Sequence, residues 1–277
     1  PEMRLFGEEI GEVTRYGAGP GPTTLIGTGG VDALCEQLVA DADQLGDVLV
    51  ICGSTLVVWT TVAQDDARPG CWVLPHWRGG ASMIGGASNA GGLWLDWIDR
   101  VVRPADASAA AGSIPVFAPY LRGERVPLHD PARRAEMRSL DLTQGPAELR
   151  RAAFEASAFA VRHILERSGV TPKRMVVTGG GSRVTGWMQA IADVTGLAVE
   201  TVAIPEGAAL GAAFLARMAA GLETDVTDAG RWSRRGRGFE PDARWQAATA
   251  ERYETYLAHA EARSVGPEGP PSGSQAR

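Results

Sequence analysis

Cysteine is scarce in this chain of 277 residues: Cys35, Cys52 and Cys71 are all there is, with no Cys-x-x-Cys spacing. An odd, scattered set excludes a disulfide framework and gives no zinc pattern, so a reducing, cytoplasmic setting is expected. Histidine is equally sparse. His76, His129, His163 and His259 show neither His-Glu-x-x-His nor paired helical spacing, so no metal cage is expected. No apolar run approaches the roughly 20 residues that cross a bilayer, and no basic-then-apolar leader opens the chain. Positive charge is outweighed, 27 Lys and Arg against 33 Asp and Glu, for a net −6. That balance removes the electrostatic reason to expect nucleic acid or an anionic membrane as partner. Arg133/Arg134 and the Arg231–Arg237 group read as solvated surface. The first residue is Pro rather than Met, and a processed, truncated or partial chain is expected.

What is present is ordinary globular composition, 44% hydrophobic and 22% charged, in a length that allows one large domain or two small ones. From Thr24 an apolar piece enters a turn, Gly27-Thr28-Gly29-Gly30, and a helix is expected from Asp32 to Asp43. Val48–Cys52 is short, apolar and β-branched, as a buried strand is. Leu56–Val62 repeats the pattern after Gly53-Ser54-Thr55, so the two runs are expected to form a hairpin. One further strand is expected within Gly70–Ile84. A helix follows from Asn89 to Val102 with Leu93, Trp94, Trp97, Ile98 and Val101 on one face, and Pro104 ends it.

The second half alternates more cleanly. Helices are expected over Pro146–Arg167, residues 184–195, Pro205–Ala220 and Asp242–Arg263, with strands at Lys173–Thr178 and Ala198–Val202. Such alternation implies α/β architecture with helices on a largely parallel sheet. Residues 264–277, rich in Gly, Pro and Ser, are expected to stay outside the fold. Three strands and a helix, then strand-helix-strand-helix, is the order of the ribonuclease-H-like unit of the actin, hexokinase and Hsp70 ATPase superfamily, a mixed β-sheet flanked by helices. Fold order alone does not fix function.

Thr178-Gly179-Gly180-Gly181-Ser182 lies between a strand and a helix. Three glycines strip Cβ atoms from the turn, and the next helix offers unpaired N–H groups to an anion. A plain strand-to-helix turn would read the same way. A dinucleotide fingerprint fails here, since Val184 stands where its third glycine belongs.

The surroundings of that turn carry more. Val177–Arg183, Trp187-Met188-Gln189-Ala190-Ile191-Ala192-Asp193-Val194 and Pro205-Glu206-Gly207-Ala208-Ala209-Leu210-Gly211-Ala212-Ala213 together resemble the signature of the FGGY carbohydrate kinases. The resemblance implies that Gly179, Gly180, Gly181 and Ser182 cradle the adenosine and nearby phosphate of ATP. Gly27-Thr28-Gly29-Gly30-Val31-Asp32-Ala33 resembles the turn bearing the family's catalytic aspartate. Asp32 would then take the proton of the sugar hydroxyl as its oxygen attacks the γ-phosphorus, a role needing position more than a strong base. Helix capping is the competing reading of Asp32. Gly53, Ser54 and Thr55 resemble the phosphate-binding hairpin, with Ser-Thr in place of the usual Thr-Ser; both residues keep a hydroxyl and an N–H. Gly85–Gly92 resembles the family's Gly-rich helix entry, in which Asn89 faces a ligand or starts the helix. Pro119–Pro127 resembles the loop before the long helix, with Glu124 and Arg125 as loop-fixing ions. Trp94, Trp97 and Trp187 are expected in the core.

The resemblance implies Mg2+-ATP phosphorylation of a sugar or polyol, with a xylulokinase-like loop that puts D-xylulose first. It divides the chain into the end of an amino-terminal lobe (1–46), a nucleotide-binding domain (47–263) and a tail (264–277). The Asp-x-Gly-Thr turn that opens the family's first lobe is missing before Asp32, so this chain alone is expected to be inactive. A homodimer is allowed. The alternative is a nucleotide-binding or scaffold module of the same superfamily without kinase activity.

Overall fold

Residues 7–13, 24–63, 68–77, 79–105 and 109–262 are described in a computed structural model of the chain. In chain order the elements are β1 (Glu9–Val13), β2 (Thr24–Gly27), α1 (Asp32–Ala40), β3 (Asp47–Cys52), β4 (Leu56–Ala63), β5 (Trp72–Pro75), β6 (Ala81–Ser88) and α2 (Gly92–Val101). There follow β7 (Val116–Ala118), β8 (Glu136–Arg138), α3 (Pro146–Ser168), β9 (Arg174–Thr178), α4 (Thr185–Thr195), β10 (Val199–Val202), α5 (Gly207–Ala219), β11 (Arg235–Phe239) and α6 (Ala243–Ala260).

Seven strands form one mixed sheet in the order β11-β10-β9-β3-β4-β6-β5. β3 is antiparallel to β4 and parallel to β9, and β9 is parallel to β10. The meander β6-β4-β3 extended by β9 and β10 is the ribonuclease-H-like arrangement. β3 shows why its residues were chosen. Val48, Val50 and Cys52 enter the main core under α3, whereas Leu49 joins a cluster with Ala40 on the opposite face. Side chains alternate across a strand, so a run apolar at every position belongs where both faces are covered. β9 repeats this, with Met175 and Val177 on the first face and Val176 on the second.

α3, long and rich in alanine, lies close on the sheet through Ala152, Ala153, Ala156 and Ala160. Its ends are well made: Pro146 opens it, Glu148 accepts the Gly145 N–H at 2.9 Å, and Gly169 closes it at φ 66°. Trp94 donates to Ala153 O at 3.0 Å and Trp187 to Ser157 Oγ at 2.9 Å, so both rings are buried with their N–H groups satisfied. Glu155 accepts two hydrogen bonds from Arg252 (2.7 and 2.8 Å) and one from Arg151 (2.8 Å), and Arg151 also reaches Asp193 at 2.8 Å. This network ties α3, α4 and α6 together.

The structure departs from the sequence expectations in several places. Arg133, expected on the solvated surface, is buried because its guanidinium donates to His259 O (3.3 Å) and Ala260 O (3.0 Å) at the end of α6. Gly70–Ile84 holds not one strand but β5 and the start of β6, which runs on through Gly85 and Gly86 to Ser88. The helix expected from Asn89 begins at Gly92, and its buried face is Trp94, Leu95 and Ile98; Leu93 and Val101 are exposed. The Arg231–Arg237 group includes an edge strand, β11, paired with β10. The tail 264–277 lies outside the described residues.

Candidate active site

β3 and β9 are adjacent and parallel, with Ile51 beside Thr178, so both carboxyl ends stop at the same rim of the sheet. From that rim the chain leaves in different ways, turning back into β4 from β3 and on into α4 from β9. Crevices beyond the carboxyl ends of parallel strands are where α/β sheets hold ligands.

The two glycine turns meet there. Gly179 has φ 84° and ψ 167°, a conformation essentially reserved for glycine, and a Cβ on it would stand 2.8 Å from Cys52 O. A Cβ on Gly181 would stand 2.3 Å from the Trp187 ring. Gly180 faces open space, with nothing within 4 Å. Cys52 is fully buried, and burial pushes its thiol far above the usual range, so it forms wall rather than nucleophile.

A cavity of about 570 Å3 opens between these turns. Cys52, Gly53 and Ser54 form one side, Gly180, Gly181, Val184 and Trp187 the other, and α2 (Gly92, Leu95, Asp96, Ile98, Asp99) and α3 (Arg150, Phe154) close it. The hairpin turn is fixed to α2, since Gly92 N donates to Gly53 O (2.8 Å) and Leu93 N to Ser54 O (3.0 Å). Arg150 is paired with Asp99 and also donates to Val102 O at 3.2 Å, which seats its charge on the cavity wall. Apolar and aromatic walls with glycine backbone on two sides suit a flat, phosphate-bearing ligand.

Of the residues singled out in the sequence, Gly53, Ser54, Gly180 and Gly181 line this cavity together. Thr55 sits behind them, its carbonyl accepting the Gly53 N–H at 3.0 Å. Gly179 bends the chain. Ser182 is buried and its hydroxyl donates to Gly179 O at 2.7 Å, so its contribution is to the shape of the turn. Asp32 stands outside the cavity lining, exposed in the first turn of α1, with Oδ1 accepting the Ala33 N–H at 2.7 Å. Glu124 is buried and accepts from Ser88 Oγ (2.7 Å), Asn89 N (2.9 Å) and Arg125 N (2.6 Å), which makes it the loop-fixing ion expected. Asn89 Nδ2 donates to Gly123 O at 3.0 Å and so binds the same loop. Among the described residues no three His, Cys, Asp or Glu side chains converge as a cation site.

The family model for the carboxyl-terminal domain of the FGGY carbohydrate kinases matches residues 50–220, the stretch that builds the sheet centre and both walls of this cavity. The chain belongs to the FGGY family of carbohydrate kinases. It is 32% identical over 200 residues to a xylulose kinase of Escherichia coli, covering 67% of this chain and 40% of that protein. It is 36% identical over 172 residues to a glycerol kinase of Rhodospirillum centenum, covering 58% and 34%. Among solved structures, the ligand-bound xylulose kinase of Lactobacillus acidophilus superposes with a TM-score of 0.81 over 94% of this chain and 56% of that one, at 21% identity. The xylulose kinase of Rhodospirillum rubrum gives 0.76 over 92% and 56%, at 26% identity. The chain thus spans less than half the length of these two curated relatives.

Sequence reasoning missed the far walls of the FGGY cavity. Asp96, Asp99, Arg150 and Phe154 sit on two helices far apart in sequence, and only the approach of α2 to α3 brings them to one space. The spacing of Leu95 with Ile98, and of Asp96 with Asp99, was the available signal: two adjoining helical rows, one apolar and one acidic.

Proposed function

We propose that this chain is the nucleotide-binding half of an ATP-dependent carbohydrate kinase. The observation that carries the reading is the convergence of Gly53-Ser54 and Gly180-Gly181 on one cavity at the ends of adjacent parallel strands. The base and ribose lie against Gly180, Gly181 and Val184, and the phosphates run toward Gly53, Ser54 and Thr55. Ser54, exposed at the turn, offers its hydroxyl to phosphate oxygens. Asp32 accepts the proton of the attacking sugar hydroxyl; its exposure at the start of α1 leaves the carboxylate free to meet a substrate. Phosphoryl transfer depends chiefly on positioning and charge stabilisation. The matched relatives are more than twice this chain's aligned share, and we assign the remaining contacts to sugar and metal to a further lobe. The chain by itself therefore binds nucleotide without turnover, and D-xylulose leads as substrate of the complete enzyme because three curated relatives matched over 67%, 84% and 74% of this chain are xylulose kinases.

Calorimetric titration of this chain with ADP and ATP, followed by a phosphorylation assay over ketoses and polyols, tests both halves of the reading. Weak but saturable ADP binding without sugar phosphate formation is expected. No binding at millimolar ADP would sink the nucleotide assignment, and robust turnover would sink the claim of inactivity.

A further inference from the structure

One helical turn beyond Asp32, α1 carries Glu36, a carboxylate the chemistry above does not use. It is 8% exposed, wedged between the sheet and α5. Its Oε2 accepts the Thr178 hydroxyl at 2.9 Å. Thr178 is the last residue of β9 and immediately precedes Gly179. The main chain at Ala208, in the first turn of α5, also faces the same carboxylate and favours its charged form. A Cβ on Gly207 would lie 2.6 Å from Glu36 Oε2, so the glycine there is what admits the carboxylate. One residue earlier on α1, Cys35 O lies only 2.1 Å from where a Gly211 Cβ would be, so α1 and α5 touch backbone to backbone. The Glu36 side chain is held on three sides.

We propose that Glu36 is a positioning residue whose carboxylate clasps α1 to the end of β9 and the start of α5, so that nucleotide on the glycine turn sets the orientation of Asp32. The inference rests on the nucleotide reading above. A ligand seated on Gly180 and Gly181 orders Gly179 and Thr178. Thr178 is hydrogen-bonded to Glu36, and Glu36 and Asp32 share one helical face, about 6 Å apart along the axis. An apolar side chain would fill the same volume without fixing the rotation of α1. A carboxylate bonded to the Thr178 hydroxyl and packed against the start of α5 fixes it, and removing it strands the buried Thr178 donor. Burial pushes the Glu36 carboxyl above its usual range, with Asp32 and Glu206 as the acidic neighbours that add to this; the Thr178 hydrogen bond and the Ala208 main chain oppose it.

Hydrogen exchange of this chain with and without saturating ADP tests the clasp, comparing the unsubstituted protein with Glu36→Gln, Glu36→Ala and Thr178→Val. ADP should slow exchange of the 33–40 amides about 5-fold or more in the unsubstituted chain and in Glu36→Gln, which keeps an acceptor of the same shape. In Glu36→Ala and Thr178→Val the slowing should fall below about 2-fold while ADP affinity, read by calorimetry, stays within about 3-fold, because neither side chain lines the cavity. Equal slowing in all four proteins, or none in the unsubstituted chain once ADP is bound, overturns the clasp. Failure of that chain to bind ADP overturns the nucleotide reading and the clasp with it. Thr178→Val, near-isosteric, keeps the comparison decisive if Glu36→Ala does not fold.

Discussion

Alanine placed at two neighbouring glycines should separate folding from binding in the 179–181 turn. At Gly179 the φ of 84° and ψ of 167° cost a side chain about 1–3 kcal/mol. The new Cβ would also lie 2.8 Å from Cys52 O and 3.0 Å from Cys52 C, main-chain atoms of a central strand that cannot give way. Overpacking of that kind adds about 1–3 kcal/mol, for about 2–6 kcal/mol in all. Against a total stability of about 5–15 kcal/mol, Gly179→Ala should lower the urea midpoint severely or prevent folding. Gly180, one residue on, has no left-handed φ and nothing within 4 Å of a Cβ. Gly180→Ala should keep the midpoint or raise it by up to about 1 kcal/mol through the unfolded chain. Its methyl nevertheless stands on the cavity rim, so ADP should bind about 10-fold more weakly, or about 1.4 kcal/mol. Urea unfolding followed by tryptophan fluorescence, with calorimetric ADP titration of Gly180→Ala, makes the comparison. Equal stability of the two variants, or unchanged ADP binding by Gly180→Ala, would refute the reasoning.

Glu155→Ala removes the shared acceptor of Arg252 and Arg151, two guanidinium groups otherwise left with too little negative charge in a buried setting. It should cost about 3–5 kcal/mol in urea unfolding, and an Arg252→Met, Glu155→Leu double change should recover much of that. His163 is buried, and desolvation, helped by the Arg167 guanidinium, depresses its pKa from 6.5 to about 4. The unfolded chain therefore takes up a proton near pH 6.5 that the folded one refuses until about pH 4, so stability from this group is intact above 6.5 and lost as pH falls through that window. The loss should reach about 3 kcal/mol, and His163→Gln should flatten that share of the pH profile between pH 7 and 4.

The central sheet was legible because β3 and β9 carry unbroken apolar runs, Val48–Cys52 and Met175–Val177, a pattern that two covered faces require and that few other settings tolerate. The turn at Gly179 was legible only through its surroundings, since consecutive glycines between a strand and a helix also suit a plain turn and it was the flanking Val177–Arg183, Trp187–Val194 and Pro205–Ala213 segments that carried the resemblance. β6 was not. Gly85 and Gly86 lie inside it at φ 144° and 148°, and the carbonyl of Val58 approaches within 2.1 Å of a Gly85 Cβ position; in sequence they read as a helix entry. β11 escaped because alternating Arg and Gly present no apolar face, its place being set by main-chain pairing to β10 at the sheet edge. Glu36 escaped because its partner Thr178 lies 142 residues away, and a glutamate in a helical pattern gives no sign that it is buried.

The pairing of Asp47–Ile51 with Arg174–Thr178 joins segments almost half the polypeptide apart. During synthesis β3, β4, β5 and β6 emerge first and can assemble as a meander, yet one flank of β3 then carries unsatisfied main-chain groups and apolar side chains on both sides. Nothing local can quench that flank; it waits until the ribosome has delivered β9. Topologies with such delayed closure fold slowly and offer other chains a template in the interval. A polypeptide interrupted anywhere between β6 and β9 would be left in that state permanently, and inclusion bodies rather than soluble fragments are its natural fate.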